Sequence, residues 1–186
     1  MATELQPNDI LAFWRAAGPR RWFAKDAEFD AQIRVQFESV HLAASRGEHI
    51  DWAQTPEGAL GLLILLDQFP RNLFRGSAHA FATDPLARMI AARAIDAGFD
   101  QKVPVELRPF FYLPFEHSER LEDQARSVAL AEAHKAASGD EGTLKWAILH
   151  REIIVRFGRF PYRNAALGRT TTPEEQAFLD EGGFAG

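Results

Sequence analysis

The stretch "TPEGALGLLILLDQFP" (55–70) admits two readings, and the choice between them decides the fold. Taken alone, "LLILL" (62–66) suits a buried strand. Thr55 can cap a helix, however, Pro56 fits a first helical position, and the total length of the segment favours a helix. The spacing therefore predicts a helix that is apolar nearly all round, which belongs at the centre of a core and should stop at Pro70.

The same grammar recurs on both sides. Asn8 can cap a helix through Ile10, Leu11 and Trp14 that ends at "GP" (18–19), and a second helix runs from about Asp26 to Gly47. In that second helix Phe29, Ile33, Phe37, Val40 and Ala44 share one stripe. "TDPLARMIAARAIDAG" (83–98) reads as a helix capped by Asp84, stopped by Gly98, with Leu86, Met89, Ile90 and Ala94 inward. Three prolines in "VPVELRPFFYLPF" (103–115) leave room for a short helix between Pro104 and Leu113. Ser118 then opens a long helix, Asp140 caps another toward Phe157, and Thr172 with Glu175 forms a capping box. The expectation is an all-α fold with residues 1–186 as a single domain. Its antiparallel helices would stack as a bundle or a short tetratricopeptide-like superhelix.

Composition narrows the function. A net charge of −5 disfavours general nucleic-acid binding, and the absence of cysteine removes disulfides and thiolate metal sites. The opening "MATELQPNDILAFW" lacks a basic start and an uninterrupted apolar core, so it does not read as a secretory signal. The longest apolar run, "ALGLLILL" (59–66), is too short to cross a bilayer. A cytoplasmic protein with no membrane and no cofactor is expected, and its oligomeric state cannot be read from the sequence.

Two segments echo each other, "DQFPRNLFR" (67–75) and "FGRFPYRNAALGR" (157–169), each setting proline, arginine and asparagine after an apolar helix. From Lys145 to Arg169 there are six basic residues and one acid, in a chain that is acidic overall. Arginines among aromatic rings present planar forks suited to carboxylate or phosphate, so a small anionic ligand is one reading. Arg71, Arg159, Arg163 and Arg169 would carry the charge and Asn72 and Asn164 would orient it. The other reading pairs these arginines with the chain's own carboxylates, such as Asp67, Asp84 or Glu116.

"FEHSERLEDQ" (115–124) places Glu116 and His117 together at a helix start, where His117 could serve as acid, base or cap. His150 falls in an apolar helical pattern and reads as a core histidine, while His41, His49, His79 and His134 read as surface residues. Neither "HSERL" (117–121) nor "HREII" (150–154) carries the second histidine of a zinc-protease pattern, so no metal site is expected. Besides anion binding, the sequence leaves open a hydrolase using His117 or His150 with Glu116, and a module for a protein or peptide partner.

Together, "LLDQFPRNLFRG" (65–76), "LPFEHSE" (113–119) and "FGRFPYRNAALGRTTTPEE" (157–175) resemble the bacterial family termed domain of unknown function 924. "ILAFW" (10–14), "WFAKDAEFD" (22–30) and "FATDPLA" (81–87) extend the resemblance over nearly the whole chain. It implies an all-helical, tetratricopeptide-like fold and no established activity. This chain departs from the family's usual FPHRN at Tyr162. The positions that match are Asp67, Gln68, Pro70, Arg71, Asn72, Arg75, Glu116, His117, Ser118, Glu119, Arg159, Arg163, Asn164 and Arg169.

Overall fold

Residues 56–73 form one continuous helical path, because Thr55 caps it by accepting the Gly58 N–H at 3.1 Å and a widened turn carries it past Pro70. The structure, a computed structural model, describes residues 5–186, so the first residues of the signal-sequence reading lie outside the described residues. Every described element is helical, with no strand among the described residues. None of the helices is long and apolar enough to cross a membrane.

The chain divides into two compact units. One takes in the chain up to Arg75 and again from His79 to Pro114; the other is Phe115–Gly186 with Gly76–Ala78. In the first, α1 (Pro7–Ala17) is capped at Gln6, two residues before the expected cap Asn8. Pro7 fits the first helical position, and the Asp9 carboxylate accepts the Gln6 N–H at 2.8 Å, which leaves Asn8 inside the helix. A short α2 (Pro19–Trp22) follows, then α3 (Ala27–Ser45), whose predicted stripe is buried throughout. Asp26 caps α3 by accepting from Glu28 and Phe29. Around the buried Trp14 ring stand Trp22, Phe29, Phe69 and Phe110 at centroid distances of 5.6–6.0 Å. Gly58 is obligatory at the start of the central helix, since a Cβ there would lie 2.0 Å from the Trp52 carbonyl oxygen.

The path consists of α4 (Pro56–Leu63), a π-turn (Ile64–Gln68) and α5 (Phe69–Leu73). In the π-turn the Phe69 N–H reaches back five residues to the Ile64 carbonyl. That widening frees the Leu65 carbonyl, and Pro70, with no N–H, cannot serve the Leu66 carbonyl. Both oxygens find side chains instead. His41 donates from Nδ1 to Leu65 O at 2.8 Å, and the Thr83 hydroxyl donates to Leu66 O. The expectation that Pro70 ends the helix fails for this reason. The surface reading of His41 fails as well, since the ring is buried to hold the turn, and burial pushes its pKa down against the opposing Leu65 carbonyl and Glu38 charge.

Helix α6 (Asp84–Asp96) starts one residue earlier than expected, with Thr83 in the cap position and Asp84 inside the first turn, and its inward face is Ala87, Ile90, Ala91 and Ala94, leaving Met89 exposed. Proline again fails to stop a helix in α7 (Pro109–Glu116), which contains Pro114 and buries Phe110, Phe111, Tyr112 and Phe115.

In the second unit, α8 (Leu121–Ser138) and α9 (Glu141–Phe157) pack on each other across a two-residue connection in which Asp140 caps α9. Val128, Ala131 and Ala147 close the seam between them. His134, read from the sequence as a surface residue, is buried. Ser118 lies outside α8, donating to Asp123 at 2.7 Å, because Glu119 is held in the loop by contacts of its own. Helix α10 (Pro173–Asp180) opens on the predicted capping box.

Thr83→Val keeps the shape and removes the hydroxyl from Leu66 O. It should lower unfolding stability by about 1–3 kcal/mol, the cost of stranding a buried carbonyl, with the helical far-UV spectrum kept. Urea denaturation reads the loss, and an unchanged midpoint would mean that water serves that oxygen equally well.

Candidate functional site

Of the residues that the sequence singles out, Arg71 and Asn72 belong to the first unit. Glu116, His117, Arg159, Arg163, Asn164 and Arg169 belong to the second. In the first unit, α5 carries Arg71 and Asn72 just beyond the π-turn. Arg71 sets its fork on Asp84 at 2.9 and 3.0 Å and also donates to the Asp67 carbonyl at 2.6 Å. Asn72 donates to Asp30 at 2.8 Å, and Arg75 closes on the same carboxylate at 2.5 and 2.9 Å. Both carboxylates stand in the first turn of a helix, α6 for Asp84 and α3 for Asp30, where the helix dipole also favours negative charge.

The second unit repeats the arrangement. Arg159 forks onto Glu175 at 2.6 and 2.8 Å, and Asn164 donates to the same carboxylate at 3.2 Å. Glu175 also accepts the Thr172 N–H at 2.8 Å, so one carboxylate both caps α10 and anchors the loop. The Arg159 hydrogen bonds, with the Thr172 contacts, overcome its burial and hold its pKa at about 2. Arg169 forks onto Glu119 at 2.7 and 3.0 Å and receives help from Asn164 Oδ1 and the Phe160 carbonyl. Burial alone would raise the Glu119 carboxyl. The Arg169 fork, the Phe160 N–H and the charges of Arg169 and Arg163 outweigh it and hold the pKa below the ordinary range. Arg71, Arg159 and Arg169 thus carry the internal pairing that was the second reading of the arginine-rich segments.

Arg163 is held differently. Its guanidinium lies 4.6 Å from the Phe160 ring centre and 5.5 Å from that of Tyr162, and Nε donates to the Tyr162 hydroxyl at 3.0 Å. The side chain is almost wholly buried on a 3-10 turn, Pro161–Arg163. On the other side of Phe160, at 5.4 Å, lies the ring of His150.

His150 is indeed buried, as its apolar surroundings in the sequence imply, but its partner is a carboxyl group. Nδ1 lies 3.1 Å from Glu116 Oε1 and 2.9 Å from the Trp146 carbonyl oxygen one turn back. Two acceptors at Nδ1 place a proton on that nitrogen. Glu116 comes from the last position of α7 and is itself buried. Gln124 fixes the chain around it by donating to the Glu116 and Ser118 carbonyls, both at 2.7 Å. The His117 ring stands 6.4 Å from that of His150. The geometry thus couples Glu116 to His150, a partner 34 positions away that sequence adjacency cannot reveal, with His117 beside the pair. Among the described residues, no group of three or more His, Asp or Glu side chains is placed to hold a metal ion.

The Glu175 network has a pH signature. The free carboxyl titrates near 4.5 and the folded one near 2, so its stabilising contribution is complete above pH 4.5 and is lost as the pH falls toward 2. Glu175→Gln should flatten that part of the stability curve in acid-unfolding measurements. Glu175→Ala should cost about 3 kcal/mol at neutral pH by taking from Arg159 and Asn164 the carboxylate that they share.

A family model described as bacterial protein of unknown function (DUF924) matches residues 10–183. A search of curated proteins returns no match. The solved structure of a protein of unknown function from Agrobacterium tumefaciens is similar at 49% identity, covering 94% of this chain and 97% of that one, with a TM-score of 0.89. The chain belongs to this bacterial family of unknown function.

Proposed function

We propose that the second unit binds a small phosphate- or carboxylate-bearing molecule at Arg163 and hydrolyses its ester through the Glu116–His150 pair. One observation carries the reading: a histidine and a carboxyl, both buried and 3.1 Å apart, share an aromatic cluster with a buried guanidinium. Titratable groups gathered in a water-poor cluster are expensive to maintain for packing alone and are the usual material of acid–base sites. Arg159 and Arg169 are spent on Glu175 and Glu119, so they act as supports that position the Arg163 loop.

The chemistry follows from the tautomer. His150 Nε2 takes a proton from water as the water oxygen bonds to the phosphorus or acyl carbon, while Glu116 holds Nδ1–H and stabilises the imidazolium. The bond to the leaving oxygen then breaks, and the imidazolium returns its proton to that oxygen. Arg163 faces the charge that builds on the non-bridging oxygens. A protein supplying only the acid–base term gains about 10²–10⁴-fold in rate.

The test is a panel of p-nitrophenyl esters of phosphate and short carboxylic acids, read alongside thermal shifts with phosphate and acetate at low salt. Turnover should fall by about 10²-fold or more in His150→Asn, less in Glu116→Gln, and Arg163→Leu should abolish the thermal shift. Equal turnover in His150→Asn would remove its role. Neither turnover nor thermal shift with any compound would sink the reading.

A further inference from the structure

Beyond α10 the chain turns back on itself. Gly182 adopts a φ of +84°, Gly182 N–H donates to Leu179 O at 3.2 Å, and Gly183 N–H donates to Phe178 O at 2.9 Å. The reversal demands glycine, because a Cβ at position 183 would stand 2.4 Å from the Phe178 carbonyl oxygen and 2.6 Å from its ring. The result is a strap, residues 183–186, aimed at the cluster described above.

The strap delivers one ring. Phe184 lies 4.6 Å from His150, 5.4 Å from Tyr162 and 6.1 Å from Trp146, meeting the first two edge to face. Gly186 presses its backbone on Tyr162, so closely that a Cβ there would come within 2.8 Å of the ring. Tyr162 is in turn the ring over which Arg163 lies. Phe184 is half-buried, packs against the apolar cluster of Ile153, Ile154 and Phe160, and meets the three rings through individually weak contacts. A ring held in this way is displaceable by another ring with the same edge-to-face fit.

We infer that Phe184 occupies an aromatic subsite and that the site takes a small aromatic anion. The ligand's ring would replace Phe184 among His150, Tyr162 and Trp146, and its phosphate or carboxylate would face Arg163. The inference rests on the anion reading given above and adds to it both a substrate class and a built-in competitor. In the closed state the Phe184 ring fills the subsite beside His150, and an aromatic anion takes its place by substitution.

The experiment measures calorimetric affinities at low salt for phenyl phosphate, benzoate, methyl phosphate and acetate, with the intact chain and with Phe184→Ala. Phe184→Leu is the control should the first variant unfold. Both aromatic anions should bind the intact chain at least tenfold tighter than their ring-free counterparts. Removal of the Phe184 ring should tighten aromatic anions about tenfold while altering the ring-free ones less than twofold. The His150 ring protons should move in the proton NMR spectrum both on Phe184→Leu and on addition of phenyl phosphate. Ring-blind binding that ignores Phe184 would overturn the aromatic subsite and leave the anion site standing. No binding of any anion to either chain would overturn both.

Discussion

A charge taken out of water must meet its opposite, and in this chain that constraint is met by one device used repeatedly. A carboxylate stands in the first turn of a helix or just ahead of it, and an arginine from a post-helical loop or short helix forks onto it. Arg71 with Asp84, Arg75 with Asp30, Arg159 with Glu175 and Arg169 with Glu119 are all of this kind. The asparagine beside the arginine joins in each unit, Asn72 on Asp30 and Asn164 on Glu175. The two echoing segments of the sequence therefore solve the same problem, fixing where one helix ends relative to where another begins. Their partners lie 11 to 50 positions away, so each tie closes a long loop.

Those ties make the remaining polar groups of the second unit conspicuous. Arg163 and His150 both lie against the Phe160 ring, and Glu116 lies 3.1 Å from His150. They sit among rings, in an environment where a proton or a charge responds strongly to whatever enters. The loop that bears Arg163 is clamped at both ends, by Arg159 on Glu175 and by Arg169 on Glu119, so its geometry is set by the fold itself. Preorganisation of that sort is what an electrostatic site requires and what surface arginines lack.

Local signals in the sequence were dependable guides to the helices. Caps at Thr55, Asp140 and Thr172 place three helix starts to the residue, because a cap acts within four positions and needs nothing else. Proline was the misleading signal. Pro70 and Pro114 stand within helical paths, the first because the side chains of His41 and Thr83 serve the carbonyls around the π-turn. Those donors are 24 and 17 positions from their acceptors, and nothing in the local pattern announces them. Met89 was assigned to the wrong face for a related reason: on α6 the small Ala87, Ala91 and Ala94 line the inward stripe, and an alanine stripe is faint beside a methionine. The candidate residues were legible as chemistry and illegible as geometry. Glu116 and His117 attract notice as neighbours, whereas the pair that forms is Glu116 with His150. Glu119 and Glu175 look like ordinary helix-start acids until the folded chain shows what they hold.

The π-turn changes more than the hydrogen bonding of one segment. An α-helix advances about 100° per residue, so fitting one extra residue into a turn rotates everything after it by about that angle relative to everything before. Residues 56–73 thus act as two helices with a fixed phase offset on one axis. Beyond Glu57 the leading part is apolar nearly all round, and the trailing part presents Arg71 and Asn72 to carboxylates on two different helices at once. A chain shortened by one residue between Ile64 and Gln68 could keep its composition, its apolar content and a regular helix, yet its guanidiniums would point to the wrong azimuth.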